Sequence, residues 1–151
     1  MIILERENVK TNKYLKISGD DIGISEIKNY SIIDKKNWIL LKDQIIKKKL
    51  IIGIEIFSDE IFDISKQDLR ALCLIQINFK TFKDGRPFTF VKKLRKELKF
   101  NNEIRATGHI LPDQYSFLLR CGFNTVEINE VEKEQWFEML NLDEGLYYQP
   151  Y

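Results

Sequence analysis

Apolar and polar positions change period several times along the chain, and each change predicts an element. Trp38, Leu41 and Ile45 recur at helical spacing with Ile46 widening the stripe, Asp34 stands at an N-cap position, and Lys47, Lys48 and Lys49 suit a helix C-terminus. A helix is therefore expected from Asp34 to about Lys49. Leu50–Phe57 (LIIGIEIF) is short and rich in β-branched residues, the pattern of a buried strand. Residues 59–69 predict a short helix with Ile61, Phe62, Ile64 and Leu69 as its apolar contacts, and Leu72–Phe79 is a second buried strand. Pro87 opens a helix whose stripe is Phe90, Val91, Leu94 and Leu98, ended by Asn101-Asn102. Glu103–Thr107 alternates as a third strand. Pro112 opens a helix with Phe117, Leu118 and Cys121 on one face, and Gly122 stops it. Thr125–Ile128 is a fourth strand. Asn129 with Glu132 then starts a helix through Leu140, with Val131, Trp136, Met139 and Leu140 inward.

Residues 1–33 hold short β-type runs between turn residues and are expected to form a strand-and-turn preface; the tail, 142–151, carries Tyr147, Tyr148 and Tyr151. Together these segments fit a single α/β domain over 1–151, in which 34–141 supplies one helix and four consecutive βα units with parallel strands. Right-handed crossovers allow two architectures, an incomplete TIM-like barrel or an open doubly wound sheet. Short strands with quick returns favour the incomplete barrel.

Charge narrows the partners. With 24 basic against 23 acidic residues the net charge is +1, which argues against a general grip on nucleic acid. The charge is sorted, however: Lys92, Lys93, Arg95, Lys96 and Lys99 cluster against Glu97 alone, and an acidic run spans Glu127 to Glu144. These are solvated helix faces or docking surfaces. Cys73 and Cys121 have no metal or redox spacing and read as small buried hydrophobes. Apolar runs are too short for a membrane span, and the start of the chain lacks a signal-peptide pattern, so a cytoplasmic protein is expected.

Both architectures gather ligands at the carboxyl ends of the strands. That rule selects Glu55, Ser58 and Asp59 after the first run, Asn78 and the loop to Arg86 after the second, and Thr107, Gly108, His109, Asp113 and Gln114 after the third. Asp84-Gly85-Arg86 sets an arginine before a helix N-terminus, which suits an anion, unless Asp84 simply pairs with an arginine. Arg105 lies between Ile104 and Ala106 and points opposite to both, as a ligand contact or as half of an ion pair with Glu103, Glu127, Asp84 or Asp113. His109, the sole histidine, is a candidate acid or base, or a surface residue without a role. Asp113 moves a proton or caps a helix; Gln114 shares the apolar face of its helix. No cofactor or metal motif is present.

Phe82, Asp84-Gly85-Arg86, Phe88-Thr89, Leu94-Arg95, Glu103, Arg105-Ala106, Gly108, Leu111, Asp113-Gln114 and Arg120-Cys121-Gly122-Phe123 resemble the motifs of the bacterial domain-of-unknown-function family numbered 934, over roughly residues 38–128. Asn78, Phe88-Thr89 and Asn124 depart from that pattern. The resemblance implies an accessory protein of assimilatory sulfite reduction, often labelled an oxidoreductase, whose partner is sulfite reductase or its electron donor. Without a cofactor motif, a redox role would require that partner to supply the electrons. The alternative is a small enzyme holding an oxyanion or phosphate with Arg86 and Arg105, while His109 or Asp113 moves a proton. Ligand contacts would come from Asn78, Asp84, Gly85, Arg86, Arg105, Gly108 and Gln114, and pairing of incomplete barrels would give a homodimer.

Overall fold

Eight strands join in one sheet: β1 (Ile2–Glu5), β2 (Asn8–Lys10), β3 (Leu15–Lys16), β4 (Ser31–Asp34), β5 (Ile52–Phe57), β6 (Leu72–Phe79), β7 (Glu103–Gly108) and β8 (Thr125–Ile128). Five helices return the chain: α1 (Lys35–Lys47), α2 (Lys66–Ala71), α3 (Arg86–Lys96), α4 (Tyr115–Cys121) and α5 (Lys133–Tyr147). The structure, a computed structural model, describes residues 1–60 and 63–147, with side chains up to residue 143. The strand order is β2-β1-β8-β7-β6-β5-β4-β3. Strands β3 to β8 are parallel; β1 runs antiparallel to β8, and β2 to β1.

From β3 to β8 the order follows the chain without reversal. A doubly wound sheet reverses its order to place helices on both faces, whereas right-handed crossovers in one direction put every helix on the same face. That face is apolar. Ile33, Ile54, Ile75 and Ile104 are successive register partners, and Ile56, Ile77, Ala106 and Val126 form the row two residues on. All eight are buried in the main core beside Trp38, Val91, Leu94, Leu118 and Trp136 from the helices.

The sheet also curls. Strands β2 and β3 lie at opposite edges, yet only residues 11–14 connect them. In a flat sheet of eight strands the edges would be about 34 Å apart, at roughly 4.8 Å per strand. The chain from Lys10 to Leu15 reaches at most about 18 Å. Only a curled sheet brings the edges within that reach, and the connection crosses the mouth of the concave face.

The first 33 residues are part of the sheet. They supply both edges of the sheet, and β4 turns α1 into the return of a fifth βα unit, where the sequence pattern suggests four. Asp34 caps α1 as expected, its carboxylate accepting from Asn37 N. Helix α2 begins later than expected, because Ser65 and Asp68 form a reciprocal capping box; Ile61 and Phe62 lie outside the described residues, as do Tyr148 and Tyr151. Three apolar residues assigned inward face solvent. Val131 (86% exposed) sits in a 3-10 turn ahead of α5 and so falls out of the helical phase. Phe117 stacks on Phe88 near the surface at 4.8 Å, and Ile46 lies at the margin of its stripe.

Candidate functional site

Among the described residues no helix lies over the concave face, and its side chains are largely polar. One register row runs Glu55–Gln76–Arg105–Thr125 across β5 to β8, the first three each between two apolar neighbours that point the other way. All four are almost fully buried, Arg105 at 1% exposure. Ile3, Ile32 and Leu74 are also buried but stand apart from the main core, as expected for residues on this second face. Asn12 and Tyr14 of the edge-to-edge connection and Lys16 of β3 join Ile32, Glu55, Gln76 and Arg105 around a cavity of about 330 Å³, also lined by Met1, Asn78, Thr107, Gly108 and Glu127.

The floor of this cavity is electrically closed. Arg105 donates to Glu103 Oε2 from Nη2 at 2.9 Å and Nε at 3.2 Å, and Nη1 reaches Asn12 Oδ1 at 3.3 Å and Gln76 Oε1 at 3.5 Å. The Tyr14 ring lies 5.7 Å from the guanidinium carbon. Glu103 also accepts from Lys10 Nζ at 2.9 Å and Thr125 Oγ1 at 2.8 Å. Lys10 in turn reaches Glu5, and Lys16 forms an ion pair with Glu55, whose other oxygen accepts from Gln76 Nε2 at 2.8 Å. Every cation here has a carboxylate, as buried charge requires.

The titration shifts follow from these contacts. Burial pushes the Glu103 carboxyl up, but the hydrogen bond from Lys10, the Arg105 charge and the Thr125 hydroxyl outweigh it and hold the group below its ordinary value. Burial lowers Lys10, but Glu103 and Glu5 together outweigh it and hold the ammonium above its ordinary value. The Tyr14 phenol is pushed up to about 12, first by burial and then by the nearby Cys73 and Glu103.

One tier further toward the carboxyl ends the picture reverses. Asn78 and Thr107 are register partners on the same face as Arg105, and Glu127 follows on β8, two residues beyond the Arg105 partner Thr125. The Thr107 hydroxyl is buried and has no hydrogen-bond partner. Among the described residues, Glu127 forms no ion pair and the Asn78 amide no side-chain hydrogen bond. Gly108 closes this corner: at φ +87° it passes so near β6 that a Cβ would collide with Asn78 Oδ1 and the Phe79 carbonyl. A second cavity of about 300 Å³ adjoins, sharing Met1, Gly108 and Glu127 with the first and lined also by His109 and Trp136. The Trp136 indole N–H is buried without an acceptor.

The residues proposed from sequence divide into two groups. Glu55, Asn78, Arg105, Thr107 and Gly108 line the first cavity, and Gly108 and His109 line the second. Arg105 is at the same time the ion pair with Glu103. The others line neither cavity. Arg86 forms a bidentate pair with Asp84, Nη2–Oδ2 2.7 Å and Nε–Oδ1 2.9 Å, and is largely exposed. The hydrogen bond from Arg86 pulls the Asp84 carboxyl down to about 2. Gly85 is the N-cap of α3 and leaves open space beside it. Gln114 is structural: its Oε1 accepts from Leu111 N at 2.9 Å and its Nε2 donates to Phe82 O at 3.1 Å. Asp113 is exposed in the 3-10 turn ahead of α4.

Other motif residues hold the frame. Arg95 turns inward and donates to the carbonyls of Gly122, Phe100 and Asn102 and to Asn124 Oδ1, tying α3 to the end of α4 and the start of β8. Gly122 at φ +122° ends α4, and a Cβ there would strike Arg95 Cγ and Val91. The segment Arg120 to Phe123 is thus explained by packing around a helix stop.

Fold and site define an α/β protein with a curled, mostly parallel sheet and a polar cavity on its uncovered face. The chain belongs to the family described as bacterial protein of unknown function, DUF934, which matches residues 53–150. No curated protein and no solved structure matches it. Among the described residues no helix is long and apolar enough to cross a membrane, and no group of three or more His, Cys, Asp or Glu is placed to hold a metal ion.

Sequence reasoning missed Lys16, Gln76, Glu127, Asn12 and Tyr14. A signal existed for one of them, Gln76. Glu55, Gln76 and Arg105 each interrupt an apolar strand at a position flanked by apolar residues, and the strands that carry them are consecutive. Aligning the strands on those interruptions predicts a polar row on one face.

Proposed function

We propose that this protein is an accessory factor of assimilatory sulfite reduction that acts together with sulfite reductase, and that it does so by holding a small polar ligand at the carboxyl ends of its parallel strands. The observation that carries the ligand site is the Thr107 hydroxyl, buried and unpartnered one tier above the paired charges of Arg105, Glu103, Lys16 and Glu55. A buried hydroxyl without a partner costs about 1–3 kcal/mol. A ligand supplies the missing partner. The pathway rests on the family's motifs. Docking has a surface to use: Lys92, Lys93, Lys96 and Lys99 are exposed on and just after α3, while Arg95 is committed inward; Glu130, Glu132, Glu134 and Glu138 are exposed around the start of α5.

The second reading is a small enzyme that holds an oxyanion and acts as an oxidoreductase with electrons from a partner. In its favour, Asn78, Thr107 and His109 stand at strand carboxyl ends, where ligands of such sheets bind. It ranks second because Arg86 and Arg105 are each engaged by a carboxylate.

Deleting the gene tests the pathway. Growth should fail on sulfate and recover on cysteine; equal growth on both rejects the assignment. Affinity capture with the cognate sulfite reductase at moderate salt tests the docking, and absence of enrichment counts against it.

A further inference from the structure

The charges around the first cavity can be followed to a remainder. Lys10 and Arg105 are matched by Glu5 and Glu103, and Lys16 by Glu55. Glu127 is left over, half-buried and lining both cavities. Its neighbours in the same tier are Thr107 and, one strand further, Asn78. Adjacent strands stand roughly 4.8 Å apart, so three groups able to accept hydrogen bonds form a row of about 10 Å with the buried Thr107 hydroxyl in the middle. The charge of the row is negative, and its acceptors are a carboxylate, a hydroxyl and an amide oxygen.

We propose, building on the ligand site above, that the ligand is a small zwitterion of the amino-acid class, its ammonium group seated between Thr107 and Glu127 and its carboxylate on the Trp136 indole N–H. An ammonium has three donors and no acceptor, and the Thr107 hydroxyl and Glu127 carboxylate, on adjacent strands roughly 4.8 Å apart, supply acceptors for two of them. The carboxylate of Glu127 makes one of those bonds charge-assisted. At the other end, Trp136, whose buried indole N–H has no acceptor, is among the residues lining the cavity that adjoins through Gly108 and Glu127. A free anion such as sulfate takes bonds from the indole, the Thr107 hydroxyl and the Asn78 amide, but it brings no cation to the uncompensated charge of Glu127.

The test is a titration of the isotope-labelled protein, following the amide signals of Thr107 and Gly108 and the indole N–H signal of Trp136. The probes are L-alanine, propionate (the same skeleton without the amine), sodium sulfate and sodium phosphate. L-Alanine should move all three signals, and propionate should not. Glu127→Gln, isosteric at a half-buried position and expected to leave the melting temperature unchanged, should weaken L-alanine binding by about tenfold or more, or roughly 1.4 kcal/mol. Sulfate or phosphate moving these signals while L-alanine does not overturns the zwitterion and leaves the cavity as the ligand site. Silence from every probe, or L-alanine binding indifferent to Glu127→Gln, also overturns the zwitterion. Whether the cavity itself matters is then decided separately, by growth on sulfate of cells carrying Thr107→Val.

Discussion

The two faces of the sheet are built from the same strands, alternate residues going to each, and they follow opposite rules. The helix-covered face is a ladder of isoleucines whose only demand is close packing. The concave face carries Glu55, Gln76, Arg105, Thr107 and Thr125, all buried. Burying such groups rarely gains stability, since well-packed apolar residues of similar volume are often as good or better. The contrast teaches where function is to be sought: one face explains why the chain folds, and the other contains groups that folding alone does not require. Within the concave face the contrast repeats. The Arg105 tier is fully partnered; the Thr107 tier is not.

Breaking the partnered tier should have the largest effect. Arg105→Met leaves Glu103 buried with only Lys10 as a charge partner, and should destabilise by about 3–5 kcal/mol in urea unfolding. A loss below roughly 1 kcal/mol would mean that the ladder is not the closed network drawn here. On the apolar face, Ile77→Ala should cost about 2–5 kcal/mol through lost burial and the cavity left behind, without a change in ligand response. Gly122→Ala, at the helix stop shared with Arg95, should cost about 1–3 kcal/mol from the left-handed backbone and the collision with Arg95.

The pH profile separates the tiers further. Glu103 and Asp84 are both held below their ordinary values, so each contributes stability that is fully present above its unfolded value, 4.5 and 3.8 respectively. That contribution is lost as pH falls through the folded values, down to about 2 for Asp84. Acid unfolding of Glu103→Gln should therefore be shallower than that of the wild type below pH 4.5, and an unchanged acid limb would remove Glu103 from the network.

Much of the fold was legible because it is local. The runs at 72–79 and 125–128 are strands at their expected bounds, and Asp34, Asn129 and Gly122 do mark helix ends. What was illegible is non-local: β1 pairs with β8 and β3 with β4, and nothing in Ile2–Glu5 or Leu15–Lys16 encodes those distant partners. The curl follows from the pairing, so the closed concave face was hidden with it. The strand-end rule reached Asn78, Gly108 and His109, and the alternation rule gave the direction of Arg105. The rule also selected Arg86 and Gln114, whose neighbours Asp84 and Phe82 use them for the turn itself. Gln76 escaped because one polar residue inside LCLIQINF does not disturb an apolar run.

Thr107→Val gives the most direct test that the unpartnered tier exists for a ligand. Replacing a buried, unsatisfied hydroxyl by a methyl of the same shape should leave unfolding free energy unchanged or slightly higher, within about 1 kcal/mol. The measurement is growth on sulfate of a deletion strain complemented with this variant. The account predicts a folded protein, of normal melting temperature, that does not restore growth. A stable variant that restores growth as well as the wild type would contradict it.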